Sequence, residues 1–306
     1  MNNKLYEQIW SKIAEHDTIT IFTHVNPDGD TIGTSLALKE LINLNYPNIE
    51  VKISGDKYPY NLNFLDSNDE VSEEYIKNSL SVLVDTSSIE RTFDKRILLS
   101  KKIIKIDHHH PEGDQWFLAV EGDVYPSAGQ IIFEMIEVLG LETNKKIAVA
   151  IFVAIWTDTS GLIERNPDEQ TFDAIKWTYA KGVIKNKILK KMKLNEKDQA
   201  KVNELISGAT IKGKLVYKIN DEIVSNDVYR PATEEFVKRY EQEVYIFATK
   251  INTDTYRIGL RSKEYDVSRI AEKFNGGGHN TSSGAKVKSM EEIKQLIKLI
   301  EWEINE

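Results

Sequence analysis

Ser81-Val-Leu-Val-Asp85 and Ile103-Ile-Lys-Ile-Asp107-His108-His109-His110 are the two stretches that decide the fold. Each is a short β-branched or apolar run that ends in an aspartate, which is how a buried strand with a polar end reads. Thr18–Phe22 and residues 49–53 are two further runs of this kind, and Ile32, Leu36, Leu38, Leu41 and Ile42 between them recur at helical spacing. Strands alternating with helices predict βαβ units, a mostly parallel sheet and an α/β fold class. Ligands of such sheets gather beyond the carboxyl ends of the strands. His24, Asp85 and Asp107 each lie at or just past such an end, which makes them neighbours in space.

The second half of the chain changes pattern. Residues 144–156 read as a helix, Thr157-Asp158-Thr159-Ser160-Gly161 as a break, and residues 168–180 as helix again. Residues 185–206 are charged and contain no glycine or proline, which predicts one connecting helix. Runs at 215–219, 243–250 and 255–261 read as strands, the last two closing a hairpin across 251–254. Helices near 230–240, 267–274 and 290–304 complete a smaller α+β domain. The expected layout is an α/β domain over 1–184, a connecting helix over 185–209 and a smaller α+β domain over 210–306.

Composition narrows the function. The 306 residues suit two domains of ~100–200 residues each. There is no cysteine, so disulfides and thiolate chemistry are excluded and a reducing cytoplasm is expected. The longest apolar run, 147–156, is about half the ~20 residues of a membrane span, so no membrane partner is expected. The net charge of −8 is uneven: residues 210–306 carry 16 Lys/Arg against 16 Asp/Glu, and the rest carries 24 against 32. An acidic first domain and a neutral second one argue against long duplex DNA, whose phosphates need a basic track. A small anionic substrate is still accommodated.

Five of the six histidines fall in three motifs: His24-Val-Asn-Pro-Asp28-Gly-Asp30, Asp107-His108-His109-His110 and Gly276-Gly277-Gly278-His279. Carboxylate and imidazole together are donors that Mn2+, Fe2+ or Zn2+ accept, and their density suits a binuclear centre. In the first motif Pro27 and Gly29 shape a turn that lets His24, Asp28 and Asp30 converge, although an aspartate there can also serve as an ordinary helix cap. Successive residues of an extended chain point opposite ways, so His108 and His109 have different tasks, one toward metal and one toward substrate. Asp85 and Asp158 are ambiguous singly, but a binuclear site needs a bridging carboxylate. The glycine triplet reads as a backbone loop able to approach an anion, with Arg261, Ser262 and His279 beside it. His16 reads as a helix C-terminal or surface residue.

Taken together, these motifs resemble the DHH phosphoesterase superfamily over nearly the whole chain. His24, Asp28 and Asp30 stand for its first motif, Asp85 for the second, Asp107-His108-His109 for the third, Asp158 for the fourth, and Gly-Gly-Gly-His for the C-terminal one. The layout is most similar to the branch of bacterial oligoribonuclease (nanoRNase)/pAp phosphatase enzymes. The resemblance implies two divalent ions, most simply Mn2+, which activate water for hydrolysis of short RNA to mononucleotides and of pAp to AMP. It implies His24, Asp28 and Asp85 for the first ion, and Asp30, Asp85, His108 and Asp158 for the second. It implies that His109 contacts the scissile phosphate, that Asp107 orients the neighbouring histidines, and that Arg261, Ser262, Gly276, Gly277, Gly278 and His279 bind nucleotide. Two departures flank the glycines: Asn275, where the family often has glycine, and Asn280, where a different loop is usual. His110 has no assigned role, and a homodimer is compatible with the sequence.

Rival expectations are a cyclic- or linear-dinucleotide phosphodiesterase and a manganese pyrophosphatase, the latter disfavoured by the C-terminal Gly-Gly-Gly-His. A non-catalytic RNA-binding protein should have lost a ligand of the metal motifs, and here all are present.

Overall fold

The structure is a computed structural model that describes residues 3–111, 113 and 115–304. Backbone packing divides the chain into two units, Met1–Lys193 and Leu194–Glu306.

The first unit runs α1 (Asn3–Ala14), β1 (Thr18–Phe22), α2 (Gly29–Asn45), β2 (Glu50–Ser54), α3 (Glu73–Asn78), β3 (Leu80–Val84), β4 (Ile103–Ile106), β5 (Leu118–Val120), α4 (Ala128–Leu139), α5 (Lys145–Asp158), α6 (Glu169–Ala180) and α7 (Lys185–Met192). Its five strands are all parallel, in the order β2-β1-β3-β4-β5. Every residue of β3 and β4 is buried, as expected of strands covered on both faces. The core of Ile19, Ile21, Val82, Val84, Ile104 and Ile106 packs under α1, α2, α4 and α5.

Three helices approach unusually closely where they face the site. A Cβ on Gly33 would stand 2.4 Å from the Ala150 carbonyl oxygen, and one on Gly129 2.4 Å from the Ala154 Cβ. These bare positions let α2 touch the backbone of α5 and α4 touch the Ala154 methyl, which brings the first turns of α2 and α4 to the end of α5.

The second unit runs α8 (Glu196–Ile206), β6 (Thr210–Lys212), β7 (Leu215–Ile223), α9 (Asn226–Arg239), β8 (Val244–Asn252), β9 (Thr255–Ser262), α10 (Ser268–Lys273), β10 (Gly277–His279), β11 (Ser282–Val287) and α11 (Met290–Glu303). It forms a mixed sheet ordered β10-β11-β9-β8-β7-β6, with β8 and β9 antiparallel across the expected hairpin. A parallel-sheet unit followed by a mixed α+β unit is the fold class read from the sequence.

The details differ in three places. The single connecting helix is two helices, α7 and α8, because Lys193 is extended and the Asn195 side chain caps α8 by accepting from the Asp198 N–H. Thr157 and Asp158 belong to α5 and do not break it: the Thr157 hydroxyl donates back to the Val153 carbonyl, so the polar residue stays helical. The glycine triplet is no open loop. Gly277–His279 pairs antiparallel with Ser282–Gly284, and a Cβ on Gly276 would lie 2.0 Å from the Gly284 carbonyl oxygen, so the glycines serve close strand approach. No helix among the described residues is long and apolar enough to cross a membrane.

Candidate metal centre

His24 follows β1, Asp85 follows β3 and Asp107-His108-His109 follow β4, so the strand ends deliver them side by side. Asp28 is the N-cap of α2, accepting from the Thr31 N–H at 3.2 Å, and Asp30 lies in the first turn. Asp158 arrives from the last residue of α5. Eight residues from separate parts of the sequence thus meet in one largely buried cluster of the first unit.

Asp85 is its centre. Oδ1 lies 3.2 Å from Nε2 of His108, and Oδ2 lies 3.6 Å from Nε2 of His24. The backbone of Asp85 is left-handed (φ 46°), a conformation uncommon outside glycine that is retained where something else enforces it. His24 Nε2 is 3.7 Å from Asp28 Oδ2, and His108 Nε2 is 3.7 Å from Asp30 Oδ2 and 3.3 Å from Asp158 Oδ2. The Asp30 carboxylate is fixed by the start of α4, accepting from the N–H groups of Ala128 (2.7 Å) and Gly129 (3.0 Å), and by the Thr34 hydroxyl (2.9 Å). A carboxylate at a helix N-terminus is where the helix dipole favours it.

The imidazole tautomers carry information. Nδ1 of His24 is 2.8 Å from the Val25 carbonyl oxygen, and Nδ1 of His108 is 3.2 Å from the Tyr125 carbonyl oxygen. A carbonyl only accepts, so Nδ1 is the N–H in both, and Nε2 is the nitrogen turned to the carboxylates. A neutral Nε2 has a lone pair there, and lone pair facing carboxylate is repulsive unless a cation stands between them. In the metal-free protein that cation is a proton. Burial pulls the His24 pKa down, but the neighbouring Asp28 and Asp85 carboxylates win and push it up to about 9. Burial likewise opposes, and Asp158 and Asp85 overcome, in raising His108 to about 10. Burial, reinforced by the Asp85 charge, raises Asp30; burial raises Asp158 against the pull of Arg165. Asp85 is held well below the usual range despite burial, because the His108 and His24 imidazoles face its two oxygens.

These residues fit metal ions. His24, Asp28 and Asp85 offer donor atoms all within 4.8 Å of one another, and so do Asp30, Asp85 and His108. The two sets share Asp85, the position of a bridging ligand. Oδ1 of Asp85 is buried and accepts no hydrogen bond among the described residues, an acceptor left for a cation.

Asp107 and His109 form a separate pair. Nδ1 of His109 donates to Asp107 Oδ1 at 2.7 Å. Burial would raise the Asp107 carboxyl, yet the His109 hydrogen bond holds it low, so it stays ionised. Asp85, Asp107 and His109 also bring donor atoms within 4.8 Å, so the pair borders the cluster. His110 is exposed, and His16 places Nδ1 2.8 Å from the Lys12 carbonyl oxygen on α1, outside the cluster.

In the second unit, pairing across three strands sets His279 beside Ser282 and Ser282 beside Arg261. Arg261 Nη1 donates to the Leu260 carbonyl oxygen at 2.9 Å, and the Ser262 hydroxyl donates to the Tyr265 carbonyl. Asn275 is left-handed (φ 56°), which explains the first departure: glycine and asparagine are the residues that enter this region most readily. The Asn280 carbonyl accepts from the Val267 N–H at 2.7 Å, a main-chain bond indifferent to the side chain.

Reading the sequence missed three contributors. The Thr31 hydroxyl donates to Asp85 and also touches Nε2 of His24, inside the first donor set. Lys105, wholly buried in β4, donates to the Ser87 carbonyl and to Glu121 at 2.7 Å each and lies 3.3 Å from Asp107 Oδ2. Arg165 places Nε 3.1 Å from Asp158 Oδ2. A lysine inside an apolar run was the one visible signal, since a strand buried on both faces tolerates a charge only when it is paired.

A family model described as "DHH family, N-terminal domain" matches residues 18–155, and one described as "DHHA1 domain" matches 212–306. Among curated proteins, the probable bifunctional oligoribonuclease and PAP phosphatase NrnA of Streptococcus mutans is 29% identical, over 96% of this chain and 99% of its own length. The bifunctional oligoribonuclease and PAP phosphatase NrnA of Bacillus subtilis is 28% identical, over 93% of this chain and 94% of its own. Among solved structures, an exopolyphosphatase-related protein from Bacteroides fragilis superposes with a TM-score of 0.86 at 20% identity, covering 97% of this chain and 95% of that one, which shows a shared fold. With both models matched in order along two structural units, the chain carries a DHH N-terminal domain followed by a DHHA1 domain.

Proposed function

We propose that this protein is a metal-dependent phosphoesterase that hydrolyses short oligoribonucleotides to mononucleotides and pAp to AMP, with two divalent cations, Mn2+ for preference. The carrying observation is the pair of donor sets joined through Asp85. The relatives named as oligoribonuclease and PAP phosphatase, aligned over nearly the full chain, support the substrate class.

His24, Asp28 and Asp85 would hold one cation, and Asp30, Asp85, His108 and Asp158 the other. When bound, such a pair supplies Lewis-acid charge for the phosphate oxygens and lowers the pKa of water into the working range. The protein's own part is preorganisation. The carbonyls of Val25 and Tyr125 hold His24 and His108 in one tautomer, and the start of α4 holds Asp30. Asp107 fixes the Nδ1–H tautomer of His109, so Nε2 is presented to the scissile phosphate. Arg261, Ser262, Gly276, Gly277, Gly278 and His279 in the DHHA1 domain are the nucleotide-binding residues, and a neutral domain charge suits short substrates over long ones.

The test is a panel assayed with Mn2+: RNAs of graded length, linear and cyclic dinucleotides, pAp and pyrophosphate. The expected result is turnover of the shortest RNAs and pAp, declining as RNA lengthens. Turnover confined to cyclic dinucleotides or pyrophosphate, or absent throughout, overturns the reading.

A further inference from the structure

Asp158 meets a guanidinium at the edge of the cluster. Oδ2 lies 3.3 Å from Nε2 of His108 on its inner side and 3.1 Å from Nε of Arg165 on the other. The two residues are seven places apart, joined by a loop that runs directly from the end of α5, so the contact is built into the chain path.

The loop is shaped to hold Arg165 there. Ser160, Leu162, Arg165 and Asn166 all take left-handed backbone, with φ between 45° and 72°. Leucine and arginine rarely do so, and a run of four such residues needs external support. Support comes from Thr159, whose carbonyl accepts the N–H groups of Ile163 (2.9 Å) and Glu164 (3.0 Å) and whose hydroxyl accepts that of Leu162 (3.0 Å). The Ser160 hydroxyl ties to Glu164 at 2.8 Å, and Leu162 packs on the core. Ile163, by contrast, is 79% exposed, so the hydrophobic effect does not explain the path beyond Leu162. What the path achieves is a half-buried arginine on a carboxylate of the metal centre.

An arginine here has a specific electrostatic meaning. Asp28, Asp30, Asp85 and Asp158 converge around the imidazoles of His24 and His108, with His109 3.7 Å from Asp85. Cations bound to this cluster would take up the Asp158 carboxylate and repel a neighbouring guanidinium. A phosphate ester approaching the same centre brings anionic oxygens of the kind that arginine's planar fork binds best.

We propose that Arg165 is an exchangeable counter-ion: it pairs with Asp158 while the centre lacks metal, and pairs with the substrate phosphate once metal takes Asp158. This makes Arg165 a substrate-contacting residue, and the second half rests on the phosphoesterase reading above. The first half does not, because metal affinity is measured without substrate.

The experiment uses the full chain, stripped of metal, as wild type, Arg165→Gln and Arg165→Lys. Mn2+ titrations followed by the paramagnetic resonance of unbound Mn2+ should show Arg165→Gln binding the weaker ion about 5- to 10-fold more tightly, with Arg165→Lys near wild type. Thermal midpoints should be lower for Arg165→Gln than for wild type without metal, and equal when Mn2+ is saturating. With Mn2+ saturating, kcat/KM for Arg165→Gln should fall ~10- to 100-fold on a dinucleotide and on a small artificial phosphodiester alike, as loss of a charge-assisted contact implies. Arg165→Lys should recover part of that loss. Unchanged or weaker Mn2+ binding by Arg165→Gln overturns the counter-ion role. Tighter binding with undiminished kcat/KM overturns the transfer to substrate. A wild type that binds Mn2+ but cleaves no phosphoester sinks the phosphoesterase reading and the transfer with it, while the affinity comparison still decides the pairing.

Discussion

Asp107 holds His109 by a 2.7 Å hydrogen bond to Nδ1, and this pairing separates His109 from the adjacent His108, whose own Nδ1 is committed to the Tyr125 carbonyl. Neighbours in sequence therefore have different partners and different work. His108→Ala should lower bound Mn2+ in the purified protein. His109→Ala should keep its metal and lose turnover by ~10²- to 10⁴-fold, the usual worth of a positioned acid–base or charge-stabilising group. Equal loss of metal from both variants would show that His109 is a ligand.

Asp85 takes part in both donor sets, so its loss should be felt by both ions. Asp85→Asn should abolish turnover and reduce Mn2+ stoichiometry, with the circular dichroism spectrum unchanged. His16→Ala, on α1 and outside the cluster, should match wild type in every measurement. Near-normal turnover of Asp85→Asn at saturating Mn2+ would refute a binuclear centre.

The raised histidines make metal-free stability depend on pH. His24 and His108 sit at about 9 and about 10 in the folded protein, against ~6.5 when unfolded. A pKa raised on folding means that the folded state binds the proton more tightly. The contribution is then complete below pH ~6.5 and lost as pH climbs through the folded values. The thermal midpoint of the metal-free protein should fall between pH 7 and 10, and His108→Gln should flatten that fall. Parallel slopes for variant and wild type would rule out the protonated imidazole.

The DHHA1 domain should recognise nucleotide without helping the metals. Arg261→Ala or His279→Ala should lower kcat/KM on dinucleotides and pAp by ~10- to 150-fold, equivalent to ~1.5–3 kcal/mol for a charge-assisted hydrogen bond. A small artificial phosphodiester that occupies only the metal centre should be hydrolysed at the wild-type rate. Matching losses on both substrate types would assign these residues to folding.

Local pattern carried much of the architecture. Thr18–Phe22 is a strand at the bounds its composition suggests, because five consecutive buried or half-buried residues leave periodicity little ambiguity. The positions of His24, Asp85 and Asp107 at strand ends followed from the parallel sheet alone. What composition could not convey was long-range or conformational. Nothing near Asp30 announces that the N–H groups of Ala128 and Gly129, almost a hundred residues away, will clasp it. Thr157 looked like a helix breaker because its hydroxyl's option of bonding back to Val153 depends on the finished helix. The glycine triplet looked like a loop because the close approach of Gly284 is a tertiary fact. Residues 185–206 looked continuous because a break made by an extended lysine and an asparagine cap needs neither glycine nor proline.

The bare contacts at Gly33 and Gly129 have a consequence for transplanting this chemistry. The loops supply the chelating groups, but the gauge between them is set by how near three helical backbones can come, and that gauge is written in hydrogen atoms. Copying the histidines and aspartates onto a scaffold with alanine at those two places would therefore reproduce the ingredients at the wrong separation. The smallest side chains of the interior are as much a part of the inheritable recipe as the groups that would touch metal.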